Sequence, residues 1–333
     1  MKNLEISVLD LAPVKQNKSL NETFDDSLSL AKTVERLNYK RFWLAEHHNI
    51  KSIASSATSV LIGFIANGTE KIRVGSGGIM LPNHSSLVIA EQFGTLESLF
   101  PGRIDLGVGR APGTDGVTAK ALGRNPLNIN QHFPQQIQEL QQYFSVANSK
   151  SAVRAIPGEG LDIPIYILGS STDSAWLAAK TGLPYAFAGH FAPDMMSTAF
   201  EIYRNNYEPS EKFPEPYLIA CVNGIAAETD EEAKKLANTL YQAFTNIIRD
   251  DRKPFSPPVE DIDEIWNSME KAHVLRMLRY SFIGSGKTIK NQIQEFQEQF
   301  DVDEIMIMSH IYDLDAKLKS YAIFRNVVDE LNN

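Results

Sequence analysis

Residues 72–112 read IRVGSGGIMLPNHSSLVIAEQFGTLESLFPGRIDLGVGRAP. An apolar run over 72–82 is followed by a helical stretch, SSLVIAEQFGTLESLF, that stops at Pro101-Gly102, a helix-ending pair. A second apolar run, RIDLGVGRAP, then occupies 103–112. Neither run alternates apolar with polar residues, as expected of strands covered by helices on a parallel sheet. Strand, helix and strand in this order make a βαβ unit, and the question is how often the unit recurs.

It recurs along the whole chain. Upstream lie EISVLDLAP (5–13) with a helix over 19–37, and RFWLAEHH (41–48) with a helix near 54–67 closed by Asn67-Gly68. Downstream lie a helix near 134–144 and the runs IPIYILGSS (163–171), YAFAGH (185–190), PYLIACVNGIAA (216–227) and DEIMIMSHI (303–311). Ser19 with Glu22, and Thr229 with Glu232, have the spacing of capping boxes. Eight strand–helix repeats exceed the five or six strands of a doubly wound sheet and match a (β/α)8 TIM barrel of about 250 residues. The expected fold is therefore a single α/β barrel domain spanning 1–333. The surplus length falls into insertions of about 111–133, after the fourth strand, and about 249–285, after the seventh. The second mixes prolines, charge and helical turns, as a lid over a site would, or as a plain surface excursion would.

Composition narrows the function. A net charge of −9 without a basic run argues against nucleic-acid binding. No apolar run approaches the ~20 residues that span a bilayer. The first residues, MKNLEISVLDLAP, carry acids and a proline where a signal peptide would be unbroken and apolar. The lone cysteine, Cys221, excludes an internal disulfide. The expectation is a cytoplasmic protein without membrane or nucleic-acid partners.

Barrel enzymes work at the C-terminal ends of their strands. Here those ends carry Glu46-His47-His48, Gly75-Ser76-Gly77-Gly78, Gly107-Val108-Gly109-Arg110, Gly169-Ser170-Ser171, His190 and His310. Side chains alternate along a strand, so His47 and His48 point apart and make poor co-ligands for one ion. No zinc spacing such as HExxH accompanies them, and no metal is expected. One imidazole suits acid–base work, while packing at a strand end explains the other as well. The glycines permit close approach of a flat ligand or a tight barrel corner. Arg110 beside Ser170, Ser171 and Ser174 at a helix start suits a phosphate, although the serines alone read equally as caps.

Two nucleotide-like stretches carry little. SFIGSGKT (281–288) resembles a P-loop, but Ser281 holds the first glycine position and the preceding HVLRMLRY reads as helix, not strand. GVGRAPG (107–113) has the wrong glycine spacing for a dinucleotide fold and contains Pro112.

The stretches AEHHN, 73–115 and ILGSSTDSAWLAAKTGLP resemble the bacterial luciferase-like flavin monooxygenases, most closely the branch called luciferase-like group one. The resemblance runs through essentially the whole chain and implies a (β/α)8 barrel, in many members a homodimer. It implies reduced FMN, or less readily the deazaflavin F420, and reaction with O2 through a C4a-peroxyflavin to oxygenate a small organic substrate. A separate flavin reductase would supply the cofactor. A flavin-binding protein without catalysis and an F420-dependent dehydrogenase are the alternatives on the same barrel. By resemblance, His47 is the catalytic histidine, with Glu46 forming one wall of the flavin site beside it and His48 shaping its surroundings. Gly77-Gly78 matches a non-prolyl cis peptide under the flavin ring. Arg110, Ser171 and Ser174 match contacts to its phosphate. Ser170 stands where luciferase has glutamate, and Gly109 where it has a reactive cysteine, so light emission is not implied.

Overall fold

Every ladder between strands in the computed structural model is parallel. The structure describes residues 3–124 and 129–333. The first half of the wall alternates β1 (Glu5–Asp10), α1 (Leu20–Arg36), β2 (Arg41–Leu44), α2 (Thr58–Asn67), β3 (Arg73–Met80), α3 (Ser86–Leu99) and β4 (Ile104–Gly109). After α4 (Gly116–Ala121) and α5 (Ile129–Phe144) come β5 (Ile165–Gly169), α6 (Thr172–Thr181), β6 (Tyr185–Phe187) and α7 (Met196–Asn205). The chain ends with β7 (Leu218–Ala227), α8 (Asp230–Ile248), α9 (Ser268–Met277), β8 (Phe282–Ser285), α10 (Gly286–Phe300), β9 (Glu304–Met308) and α11 (Leu314–Asn332).

Neighbouring strands pair in sequence order from β1 to β7, then β7 pairs with β9 and β9 with β1. This closes an eight-stranded TIM barrel, as the repeat of apolar runs predicts. The extra strand, β8, lies outside it on the far end of β7, pairing Gly224–Ala227 with Phe282–Ser285. Sequence reading missed β8 and the helix that follows. At four residues with two small polar or glycine positions, FIGS has no apolar period to read. It is also the P-loop-like stretch, and its chemistry is already satisfied. Ser285 N–H donates to Asp230 Oδ1 (2.6 Å) and Thr288 Oγ1 to Asp230 Oδ2 (3.0 Å), so a carboxylate occupies the start of α10 where a phosphate would sit.

Alternation along each strand divides two cores. Val8, Phe42, Leu44, Val74 and Leu106 face the helices in one large cluster. Leu9, Trp43, Ala45, Tyr166, Ala186, Ile219, Cys221, Met306 and Met308 form a second cluster that contains no helix residue, which fills the barrel interior. Its floor, at the strand N-terminal ends, is polar. Buried Arg41 pairs with Asp105 (2.7 Å) and Glu304 (2.9 Å), and both carboxylates take further bonds from Arg73, Trp43 and Tyr217. The floor is thereby sealed, and the opposite end is left for a site.

The capping expectations divide. Ser19 and Glu22 form the full reciprocal box at α1. At α8 only half forms: Thr229 accepts from the Glu232 N–H (3.1 Å), while the neighbouring Asp230 is committed to α10.

Of the two insertions, the first contains α4; residues 125–128 lie outside the described residues. The second departs from one long lid. Residues 251–256 cross the barrel mouth, after which α9 packs beside α8 and β8 pairs with the far end of β7. The crossing is tied on one side by paired backbone bonds, Phe255 N–H to Val14 O (2.9 Å) and Gln16 N–H to Phe255 O (2.8 Å). On the other side Arg252 reaches Asp115 at 3.3 Å.

Candidate active site

The strand ladder of β2 ends at Leu44, but its alternation carries on through the next four residues. Trp43 and Ala45 belong to the barrel interior, and His47 follows them inward to line the cavity at the mouth. Glu46 and His48 take the opposite side, where His48 Nε2 meets Glu46 Oε1 at 2.8 Å. Glu46 is fully buried. It also accepts from Met80 N–H (2.9 Å) and Asn83 Nδ2 (3.1 Å), and His84 Nε2 bridges both its oxygens at 3.0 and 2.9 Å. Burial alone would raise its pKa; the bonds and charge of His84, with the bonds from His48 and Met80, outweigh it and hold the carboxyl at about 2. Glu46 and His47 therefore do not form one wall, as the resemblance implied. Glu46 instead gathers the loops after β2 and β3 around a carboxylate. Asn83 and His84 escaped the sequence reading because they follow a proline beyond the strand, where no period says which way they face.

The cavity is about 340 Å³. Leu11, Ile53, Phe191, Phe244, Phe255 and Met308 line it, and Asp250, Asp251, Arg252 and Lys253 line it from the crossing side. Three histidines from three strand ends line it together: His47 after β2, His190 after β6 and His310 after β9. Burial lowers all three pKa values, to about 3 for His190 and His310, so the imidazoles are neutral at physiological pH. A hydrogen bond with the Gly113 backbone and the charge of Glu46 oppose the shift at His47. His310 lies edge-on to Phe244 and Phe255, with ring centroids 6.0 and 5.1 Å apart. Among the described residues no group of histidine, cysteine and carboxylate side chains could hold a metal ion. His48 is not among the lining residues, nor are the candidates of the third to fifth strands.

Those candidates gather on the opposite side of the mouth. Arg110, just past β4, reaches Asp173 in the first turn of α6 at 3.4 Å. Ser171 is the N-cap of α6, and its side chain makes no capping bond. Ser170, half-exposed, precedes it. Ser174 differs from expectation: its hydroxyl donates to Ser171 O (2.7 Å) and meets Tyr185 Oη at 2.9 Å, so it braces the turn.

Gly77-Gly78 is cis. Its need for glycine comes from the barrel itself. A Cβ on Gly77 would stand 2.7 Å from Leu9 Cδ1, and one on Gly78 would stand 2.8 Å from Gly107 O. Protein atoms explain these glycines without a ligand.

A parallel barrel sealed at its floor, with a histidine-lined cavity at its mouth and Arg110 beside the start of α6, has the architecture of the TIM-barrel class, whose sites lie at strand C-terminal ends. The luciferase-like monooxygenase family model matches residues 4–302, and the chain belongs to that family. It is 45% identical over 330 residues to an Escherichia coli K12 protein named luciferase-like monooxygenase, covering 99% of this chain and 98% of that one. It is 52% identical over 327 residues to Bacillus subtilis YvbT, covering 98% and 97%. Apo-MsnO8 shares the fold with a TM-score of 0.87 at 29% identity, over 98% of each chain. More distant structures, alike in fold alone, include the oxygenating constituent of 3,6-diketocamphane monooxygenase from a Pseudomonas putida plasmid, in complex with FMN (TM-score 0.74, 17% identity, 98% and 97% covered). Another is an F420-dependent secondary alcohol dehydrogenase (0.69, 15%, 98% of each chain).

Proposed function

We propose that this protein is a flavin-dependent monooxygenase that takes reduced FMN from a separate reductase and uses O2 to oxygenate a small organic molecule. The observation that carries the reading is the meeting of Arg110 with the uncapped start of α6 across the mouth from a cavity lined by His47. Arg110 and the first-turn N–H groups of α6, with Ser170 and Ser171, would hold the phosphate, and the cis Gly77-Gly78 segment would support the ring. Reduced FMN, when bound, supplies the electrons and the place at which O2 is activated. The chain's own residues do the rest. His47, kept neutral by burial, takes or returns a proton at its imidazole beside the cavity. Residues 251–256, Phe255 among them, cover the mouth and exclude water. His48 acts only through Glu46, which holds the β2 and β3 loops in place.

Anaerobic titration with reduced FMN and, separately, reduced F420, followed by oxygen, tests the cofactor. FMN should bind and F420 should not. Arg110→Ala should weaken FMN binding by about tenfold or more, the worth of a charge-assisted phosphate contact. His47→Ala should leave FMN affinity unchanged while abolishing substrate oxygenation; unchanged turnover would remove His47 from the chemistry. Tight binding of oxidised flavin without oxygen consumption would point to a flavin-storage protein instead.

A further inference from the structure

The barrel interior holds a column of aromatic rings that the proposed chemistry does not use, and it starts at the proposed flavin seat. Trp43 packs against the backbone of β3. A Cβ on Gly77 would stand 3.1 Å from Trp43 Cβ and 3.2 Å from its Cε3, and one on Gly75 would stand 2.9 Å from its Nε1. Tyr166 lies edge-on to Trp43, with ring centroids 5.0 Å apart. Its Oη accepts from Arg41 Nη1 at 2.7 Å. Arg41 pairs with Glu304 (2.9 Å), which in turn accepts from Tyr217 Oη at 2.7 Å. Tyr217 is half-buried and its Oη accepts from Lys40 Nζ at 2.8 Å, so the column ends at solvent on the floor side.

Indole and phenol rings lose single electrons more readily than aliphatic side chains, and closely spaced rings pass an electron in short steps. Charge decides which rings can hold the radical. The Arg41 guanidinium lies 5.4 Å from the Trp43 ring and 4.9 Å from the Tyr166 ring, and a cation there penalises a radical that stays positive. A ring is therefore a stopping point only where oxidation also sheds its proton. Trp43 Nε1–H donates to Asp105 Oδ2 (3.0 Å) and Tyr217 O–H donates to Glu304 Oε2 (2.7 Å), so each has a carboxylate in place. Tyr166 Oη faces a cation and, among the described residues, donates to no carboxylate, which makes it a bridge. The same interior cluster contains Cys221, Met306 and Met308, whose sulfur atoms an unrouted oxidant would attack.

Resting on the flavin reading, we propose that Trp43, Tyr166 and Tyr217 form an electron path that carries a one-electron oxidation from the flavin seat to the protein surface, away from those sulfurs. A one-electron oxidant at the seat, such as light-excited oxidised flavin, takes an electron from Trp43, whose N–H proton passes to Asp105. Tyr217 then supplies an electron through Tyr166, Trp43 recovers its proton, and the Tyr217 phenol proton passes to Glu304. A thiolate in solution reduces the Tyr217 radical and leaves as a thiyl radical, while Glu304 returns the proton.

Laser-flash absorption of the full-length protein with oxidised FMN bound, joined to electron paramagnetic resonance, follows the radicals. Flavin fluorescence measures FMN uptake beforehand. The wild type should show a neutral tyrosyl radical that appears as a tryptophan radical decays. Tyr217→Phe should keep the circular dichroism and FMN affinity of the wild type, remove the tyrosyl signal and lengthen the life of the tryptophan radical about tenfold or more. Trp43→Phe should slow electron transfer to the flavin about tenfold or more. A wild-type protein that takes up FMN and forms no tyrosyl radical overturns the path and leaves the cofactor reading standing. A tyrosyl signal that survives Tyr217→Phe, or an unchanged rate in Trp43→Phe, overturns the path as well. Absence of FMN uptake overturns the cofactor reading and the path with it.

Discussion

Glu46 is where a single residue holds most structure. Its carboxylate ties the end of β2 to Met80, Asn83 and His84 after β3 and to its own neighbour His48. Glu46→Gln keeps the shape but loses the charge in those bonds, and should cost about 2 kcal/mol at pH 7, read as a lower midpoint of thermal unfolding. Its pH dependence follows from the lowered pKa. A carboxyl that titrates at about 2 when folded, against an ordinary 4.5, contributes its stability fully above pH 4.5 and loses it as the pH falls through 2. The wild-type midpoint should therefore drop across that window more steeply than that of Glu46→Gln. Strand alternation places His47 inward and pairs Glu46 with His48 outward, which the sequence contains in full. Matching Glu46 to a flavin-side acid set that alternation aside, and the structure restores it.

At the scale of elements, the segment 251–256 is held by backbone pairing to 14–16 and by the Arg252–Asp115 contact. Asp115 is also the N-cap of α4, accepting from Thr118 N–H at 2.9 Å, and takes a bond from Asn49 Nδ2 at 3.3 Å. One carboxylate thus joins the first insertion, the β2 loop and the crossing segment. Asp115→Ala should lower the midpoint of thermal unfolding through the lost cap. It should also release the crossing on one side, so that limited proteolysis cuts near Arg252 and Lys253 faster than in the wild type. Equal cleavage rates would show that the backbone pairing alone holds it. That an insertion of prolines and charge lies between β7 and the last barrel strand is legible in the chain. That only six of its residues cross the mouth is not, because the crossing is defined by partners more than a hundred residues away.

For the whole molecule, one feature bears on stability and another on the expected homodimer. The polar floor concentrates charge in the barrel: Arg41→Met would leave Asp105 and Glu304 short of their shared cation, at a cost of about 3–5 kcal/mol, measurable by urea unfolding. On the outside, α2 and α3 pack together and expose Val60 and Phe64 on one face and Val88 and Leu99 on the next. We propose this apolar surface as the contact of the homodimer that the family resemblance implies. Sedimentation should show a dimer for the wild type and a monomer for Phe64→Glu with Val88→Glu; a wild-type monomer at micromolar concentration removes the expectation.

By itself, the order of unalternating apolar runs, amphipathic helices and turn residues determined the barrel, since closing eight helix-covered parallel strands is the economical way to bury all of those runs. The same order put glycines, histidines, Arg110 and the serines at strand C-terminal ends, on the working face. Tertiary structure alone decided which of them meet. It joined His47 with His190 and His310, turned Ser174 inward to brace its own turn, and assigned the glycines of β3 to packing against Leu9 and Gly107. It also gave Asp230 the anion seat that SFIGSGKT presents. These pairings link residues far apart in the chain through the curvature and register of a closed sheet, and no local period in a sequence carries that information.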